Sequence, residues 1–174
     1  MGTTVVIRIV EVGLFAGLLL HIIQGLVLEI QNRSKRKIGY AVTLGNRGSK
    51  WYSRSMGLLG TLLLFFLVIH LSHFWVPSRF AELPTVEYNG KEVANQYAEI
   101  VRVFQSPVVV GLYVLGCLSL MYHLLHGFQS AFRTLGVPDG KYISLIKSVG
   151  FGFAVVVSIA FAMMPISVIV GWVR

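Results

Sequence analysis

"PVVVGLYVLGCLSLMYHLLHGFQSAF", Pro107 to Phe132, contains no Asp, Glu, Lys or Arg. As a helix rising 1.5 Å per residue it is long enough to cross the roughly 30 Å hydrocarbon core of a bilayer. Three other stretches qualify on the same grounds: Val5 to Ile30, Met56 to Val76 and Val149 to Trp172. In chain order the four are spans A, B, C and D. The whole composition agrees, since 55% of the 174 residues are apolar and only 13% are charged, where a soluble domain carries about a quarter. The mean hydropathy is +0.74. The expected fold is all-α, a polytopic transmembrane helical bundle of four spans forming one domain over residues 1–174.

The net charge of +8 does not point to nucleic acid, because the basic residues gather beside the spans. Seven lie between A and B (Arg33, Lys35, Arg36, Lys37, Arg47, Lys50, Arg54) and three between C and D (Arg133, Lys141, Lys147). The other side holds five: Arg8, Arg79, Lys91, Arg102 and Arg174. By the positive-inside rule the A–B and C–D loops face the cytoplasm and both termini lie outside. Span A is too long for a signal-peptide core and no small-residue cleavage site follows it, so it is expected to stay in the mature chain. Cys117 is the single cysteine, which leaves neither a disulfide framework nor a cysteine metal site.

The connections carry their own signals. "QNRSKRK" ends A, and Trp51 and Tyr52 before B suit the headgroup layer. Pro77 is expected to close B, opening an outer loop over 77–106. Within that loop "YNGK" reads as a turn, and Val93, Tyr97, Ile100 and Phe104 at helical spacing predict a short amphipathic helix on the outer surface. "TLGVPDGK" ends C with glycine and makes a tight inner turn through "PDG".

All the histidines in the chain, His21, His70, His73, His123 and His126, fall inside spans. An ionisable side chain there is costly and ordinarily faces a bundle interior or a cofactor; the plainer reading is a hydrogen bond to a neighbouring helix. Depth separates the candidates. His21 lies nine residues before Ile30 and His123 nine before Phe132, each about 13 Å from the cytoplasmic end, so the two are level. His70, six residues before Val76 on a helix of opposite direction, lies about 9 Å from the outer end and belongs to another layer. Two imidazoles at one depth on separate helices suit a bis-histidine haem.

Gly13, Gly17 and Gly25 repeat with His21 every four residues, and Gly127 follows His123 by four. Such a flat stripe admits a planar group, or simply close helix approach. His73 and His126 each follow a candidate ligand by three positions, and either ligation or a hydrogen bond to a haem propionate is open to them. Glu11 is either an ion-pair partner of Arg8 or a protonatable carboxylate beside a quinol; Glu29 stands at the inner edge. Ser53, Arg54 and Ser55 are candidates for haem propionates.

"RIVEVGLFAGLLLHIIQGLVLEIQNRSKR", "VIHLSHFW" and "YHLLHGFQSAFRTLG" resemble the second, third and fourth membrane helices of the cytochrome b subunit (b558 type) of succinate:quinone oxidoreductase and fumarate reductase, in the five-helix, two-haem form of Bacteroidota. The resemblance extends over essentially the whole chain. It implies His21 and His123 as axial ligands of the haem b nearer the cytoplasm and His70 as one ligand of the outer haem, with His126 and His73 as weaker candidates for iron. His123 is preferred to His126 because the family ligand stands four residues before a glycine, here Gly127. The family's first helix, with its own histidine, has no counterpart, so the outer iron lacks a second ligand in this sequence. A truncated or misread start is expected ahead of a helix from another chain or loss of the outer haem.

The resemblance further implies a multi-pass subunit of the bacterial cytoplasmic (inner) membrane that relays electrons between an iron–sulfur subunit and quinone, menaquinone in this lineage. There is no dinucleotide-type GxGxxG and no cysteine cluster, so flavin and iron–sulfur centres belong to partner subunits, expected to dock on the basic loop. Succinate oxidation is not expected in this chain. Two other readings are a haem-free structural anchor and a cytochrome b anchor of another membrane dehydrogenase, such as a hydrogenase.

Overall fold

The computed structural model describes residues 5–35, 51–81, 83–137 and 142–173. Four helices in it are long and apolar enough to span a membrane, and the fold is all-α apart from one small hairpin. Arg36, Lys37, Arg47, Lys50, Lys141 and Arg174, and the Pro138–Gly140 turn, lie outside the described residues. The chain divides into two compact units, Met1–Gly57 and Leu58–Arg174.

In the first unit, α1 runs over Val5–Ser34, past the expected end at Ile30. The extra turn is supported from within, because Arg33 donates from Nε to Glu29 Oε1 one turn earlier at 2.6 Å. A short helix, α2 (Trp51–Arg54), follows, and Gly57 lies beneath the Glu29 carboxylate, where an added Cβ would come within 2.6 Å of it.

The second unit contains the rest of α3 (Met56–His70), a π-helical segment (Leu71–Trp75), α4 (Val76–Phe80), strands β1 (Thr85–Tyr88) and β2 (Lys91–Ala94), α5 (Gln96–Val103), α6 (Pro107–Thr134) and α7 (Ile143–Ile169). Pro77 does not close span B, which continues to Phe80. Proline lacks an N–H and crowds the carbonyl four residues earlier, here that of His73. A wide turn just before it absorbs this: Val76 donates to Leu71, five residues back, and the helix resumes with proline in its first turn.

Both long terminal spans end in a glycine cap. In α6, Gly136 (φ +79°) donates to Arg133 O and Val137 to Phe132 O; in α7, Gly171 (φ +79°) donates to Val168 O and Trp172 to Ser167 O. Each is a Schellman arrangement, which satisfies carbonyls that would otherwise end in lipid. Span C thus ends at Thr134 with the expected glycine chemistry, while span D begins earlier and ends earlier than the apolar run from Val149 to Trp172.

The outer loop is more ordered than expected. "YNGK" is a turn, with Asn89 (φ 52°) and Gly90 (φ 71°) both left-handed, and it joins β1 to β2 as an antiparallel hairpin with Val86 opposite Val93. Val93 therefore belongs to a strand and not to the amphipathic helix. That helix, α5, starts at Asn95, whose side chain accepts from Ala98 N–H at 3.0 Å. Phe104 and Val103 leave it to join the core with Val110, Tyr113 and Val168.

Small residues set the packing in the spans. Gly116 of α6 lies under the ring of Phe66 from α3, and Gly150 of α7 under Phe128 of α6. Gly111, also on α6, has nothing within 4 Å of a would-be Cβ. Gly116→Val should therefore destabilise the detergent-solubilised protein by about 1–3 kcal/mol through overpacking. Gly111→Ala should be neutral or slightly stabilising, as read from thermal unfolding of both variants beside the parent.

Candidate functional site

Helices α3 and α6 pack antiparallel, and their contacts fix a register. Gly60 faces His123, whose Cε1 would be 3.9 Å from an added Cβ; Phe66 covers Gly116; His70 and Phe74 reach Tyr113. Gly60 and His70 are ten residues apart on one continuous span, about 15 Å at helical rise. His123 and His70 thus occupy separate layers of the same helix pair, as the depth count from the sequence expects. They cannot share one metal ion.

Tyr113 is the centre of the His70 layer. Its ring lies edge-on to Phe104 (4.9 Å between centroids), Phe66 (5.1 Å) and Phe74 (6.2 Å), and parallel to His73 at 5.9 Å with a 10° interplanar angle. Its hydroxyl shares a hydrogen bond of 3.2 Å with His73 Nδ1, the direction set by the imidazole tautomer. His70 packs between Phe66 (5.9 Å) and Phe74 (5.4 Å). Among the described residues no hydrogen bond reaches either ring nitrogen of His70. Of the two histidines on this segment, His73 is held by a tyrosine and His70 presents its nitrogens.

Outside the spans, α5 carries a buried acid. Glu99 is 5% exposed, and Arg102 donates to its two oxygens from Nε (2.8 Å) and Nη2 (2.5 Å). These charge-assisted bonds hold the carboxyl below the usual range against the opposing effect of burial; the charges of Arg102 and His73 lower it further. A groove of about 430 Å³ lies beside this pair, walled by Pro77, Leu83, Pro84 and Ala98.

The remaining predicted residues fall as follows. His21 is exposed on α1, and Gly13, Gly17 and Gly25 have nothing within 4 Å of a would-be Cβ, so the stripe is open. Gly127 is open in the same way, and His126 is half-buried on α6. Counted to the observed helix ends, His21 lies about 20 Å from Ser34 and His123 about 17 Å from Thr134. Glu11 accepts from Arg8 at 3.4 Å, which is the ion pair the spacing allows. Ser53 and Arg54 stand on α2, with Arg54 exposed.

The donor set fits haem in kind. Its histidines offer imidazole nitrogen inside apolar spans, and the glycines beside His21 and His123 leave room that a side chain would fill. No group of three or more metal-ligating side chains occurs among the described residues. Tyr113 and Glu99 were not singled out from the sequence. A tyrosine about two turns inside a span and a Glu–Arg pair three apart on an amphipathic helix are the signals that mark them.

These observations define a multi-pass membrane protein with imidazoles held at two levels of its spans. Compared with protein-family models, curated proteins and solved structures, the chain matches none.

The depressed Glu99 pKa stabilises α5 fully above the ordinary carboxylate range, and that contribution is lost as pH falls through the lowered value. Amide protection factors of residues 96–103, the intrinsic exchange rate at each pH divided by the observed one, should fall on acidification in the parent. In Glu99→Gln they should already be lower at neutral pH and change less with acid.

Proposed function

We propose that this chain is the membrane anchor and di-haem cytochrome b subunit of a succinate dehydrogenase or fumarate reductase, relaying electrons between an iron–sulfur partner and membrane menaquinone. The observation that carries the reading is the confinement of all five histidines to the apolar spans, with His70 and His123 about 15 Å apart along one helix pair. Two imidazole layers suit two carriers stacked across a bilayer. The resemblance of "YHLLHGFQSAFRTLG" to the fourth helix of such cytochromes supplies the partner enzymes and the bacterial inner membrane.

In this reading His21 and His123 hold the inner iron, and His70 offers one ligand to the outer iron. Bound haem b supplies reversible one-electron chemistry. The chain's own contribution is to fix imidazole orientation and exclude water. Phe66 and Phe74 clamp His70, while Tyr113 engages His73 and so keeps that second imidazole from competing for the same metal. The open glycine faces near His21 and His123 give a planar macrocycle room to approach the backbone. Arg54, exposed on α2, suits a haem propionate, and Glu11, paired with Arg8, is the candidate proton acceptor beside a quinol. The flavoprotein and iron–sulfur subunits dock on the basic connection between α1 and α3.

The reading is tested by haem-to-protein ratio and the dithionite-reduced absorption spectrum of the purified protein. The parent should give a sharp α band. His21→Ala and His123→Ala should each remove the inner haem, and His73→Ala should leave it. Full haem retention in both of the first two variants defeats the ligand assignment, and an unaltered baseline in the parent leaves a haem-free anchor.

A further inference from the structure

The β1–β2 hairpin has two chemically distinct faces. Side chains alternate along a strand, and the observed register pairs Val86 with Val93 and Tyr88 with Lys91 on one face, Thr85 with Ala94 and Glu87 with Glu92 on the other. The first face is apolar and uncovered: Val86 is 45% exposed, Tyr88 68% and Val93 36%. The second sets two glutamates directly opposite each other, a like-charge pair that weakens the ladder. A two-stranded hairpin is marginal in water even with favourable pairs. Its own contacts therefore do not account for its order.

We propose that the apolar face of this hairpin docks in the lipid headgroup layer at the hairpin end of the spans. Its height is fixed by its neighbours. Asn95 closes the hairpin base by donating its N–H to Pro84 O at 2.6 Å and then caps α5. That helix is seated on the span ends through Ile100, Val103 and Phe104. On the other side, Thr85 lies five positions after Phe80, the last residue of the spanning helix, a reach of at most about 17 Å.

Chemistry selects lipid over water or protein. Phe80, 78% exposed and edge-on to Trp75 at 5.9 Å, and Tyr88, 68% exposed, are aromatic side chains of the kind that favour a membrane boundary. Lys91, opposite Tyr88, can lay its stem along the apolar face and carry its ammonium to phosphates. Glu87 and Glu92 point the other way, so the same orientation keeps both carboxylates in water, where their repulsion is screened.

The inference stands on the membrane spans alone and is independent of haem. The test uses the full chain in nanodiscs of phosphatidylethanolamine and phosphatidylglycerol, spin-labelled singly at V86C, E87C, Y88C, E92C and V93C. The buried Cys117 is controlled by the parent protein. Power saturation should show labels at 86, 88 and 93 favouring dissolved oxygen over a water-soluble nickel chelate by several-fold, and labels at 87 and 92 the reverse. Equal aqueous access at all five positions overturns the proposal. So does shielding of 86, 88 and 93 from both reagents, which identifies a protein surface on that face.

Discussion

Phe66 lying over Gly116 is the contact that sets the register of α3 against α6. In lipid, helices gain little from expelling apolar surface, so register is decided by where a backbone lets a ring come close. Only a glycine permits it at 116, because a Cβ there would occupy the ring's position. With α3 and α6 locked at that point, Gly60 falls opposite His123 and His70 falls beside Tyr113. The levels of the imidazoles follow from packing rather than from any bond between them.

Tyr113 turns that register into a specific environment. It anchors five aromatic or imidazole neighbours and contributes the hydroxyl that shares a hydrogen bond with His73. A hydroxyl buried in apolar surroundings is costly unless bonded, so this pairing both satisfies Tyr113 and immobilises His73. His70 is left with rings on its faces and with its nitrogens unengaged among the described residues. The π turn between Leu71 and Trp75 lies in the same stretch, an irregularity often associated with functional positions in helices. The proposed electron relay thus draws on a helix whose regular geometry gives way where two histidines sit.

Apolar run length made the four spans legible in the sequence, since hydrocarbon thickness admits few alternatives. Asn-Gly made the turn legible because both residues tolerate left-handed backbone. The strands flanking it are hidden: "TVEY" and "KEVA" are short and hold three charges between them, so their alternation reads as loop and Val93 as helix. Pro77 misled for a different reason. Its local rule is to end a helix, and only the wide turn before it, invisible in composition, lets span B continue to Phe80. Of the candidate site, the separate level of His70 followed from counting residues, whereas the hold of Tyr113 on His73 needs contacts between residues 40 apart.

The central proposal is that span imidazoles serve as nitrogen ligands to haem iron. It is met most directly by electron paramagnetic resonance of the air-oxidised protein, purified with its native partners, including resolution of nitrogen couplings. Low-spin ferric haem with two axial histidine nitrogens is the predicted spectrum. Ferric haem with no low-spin bis-imidazole component, or no ferric haem signal at all, contradicts it.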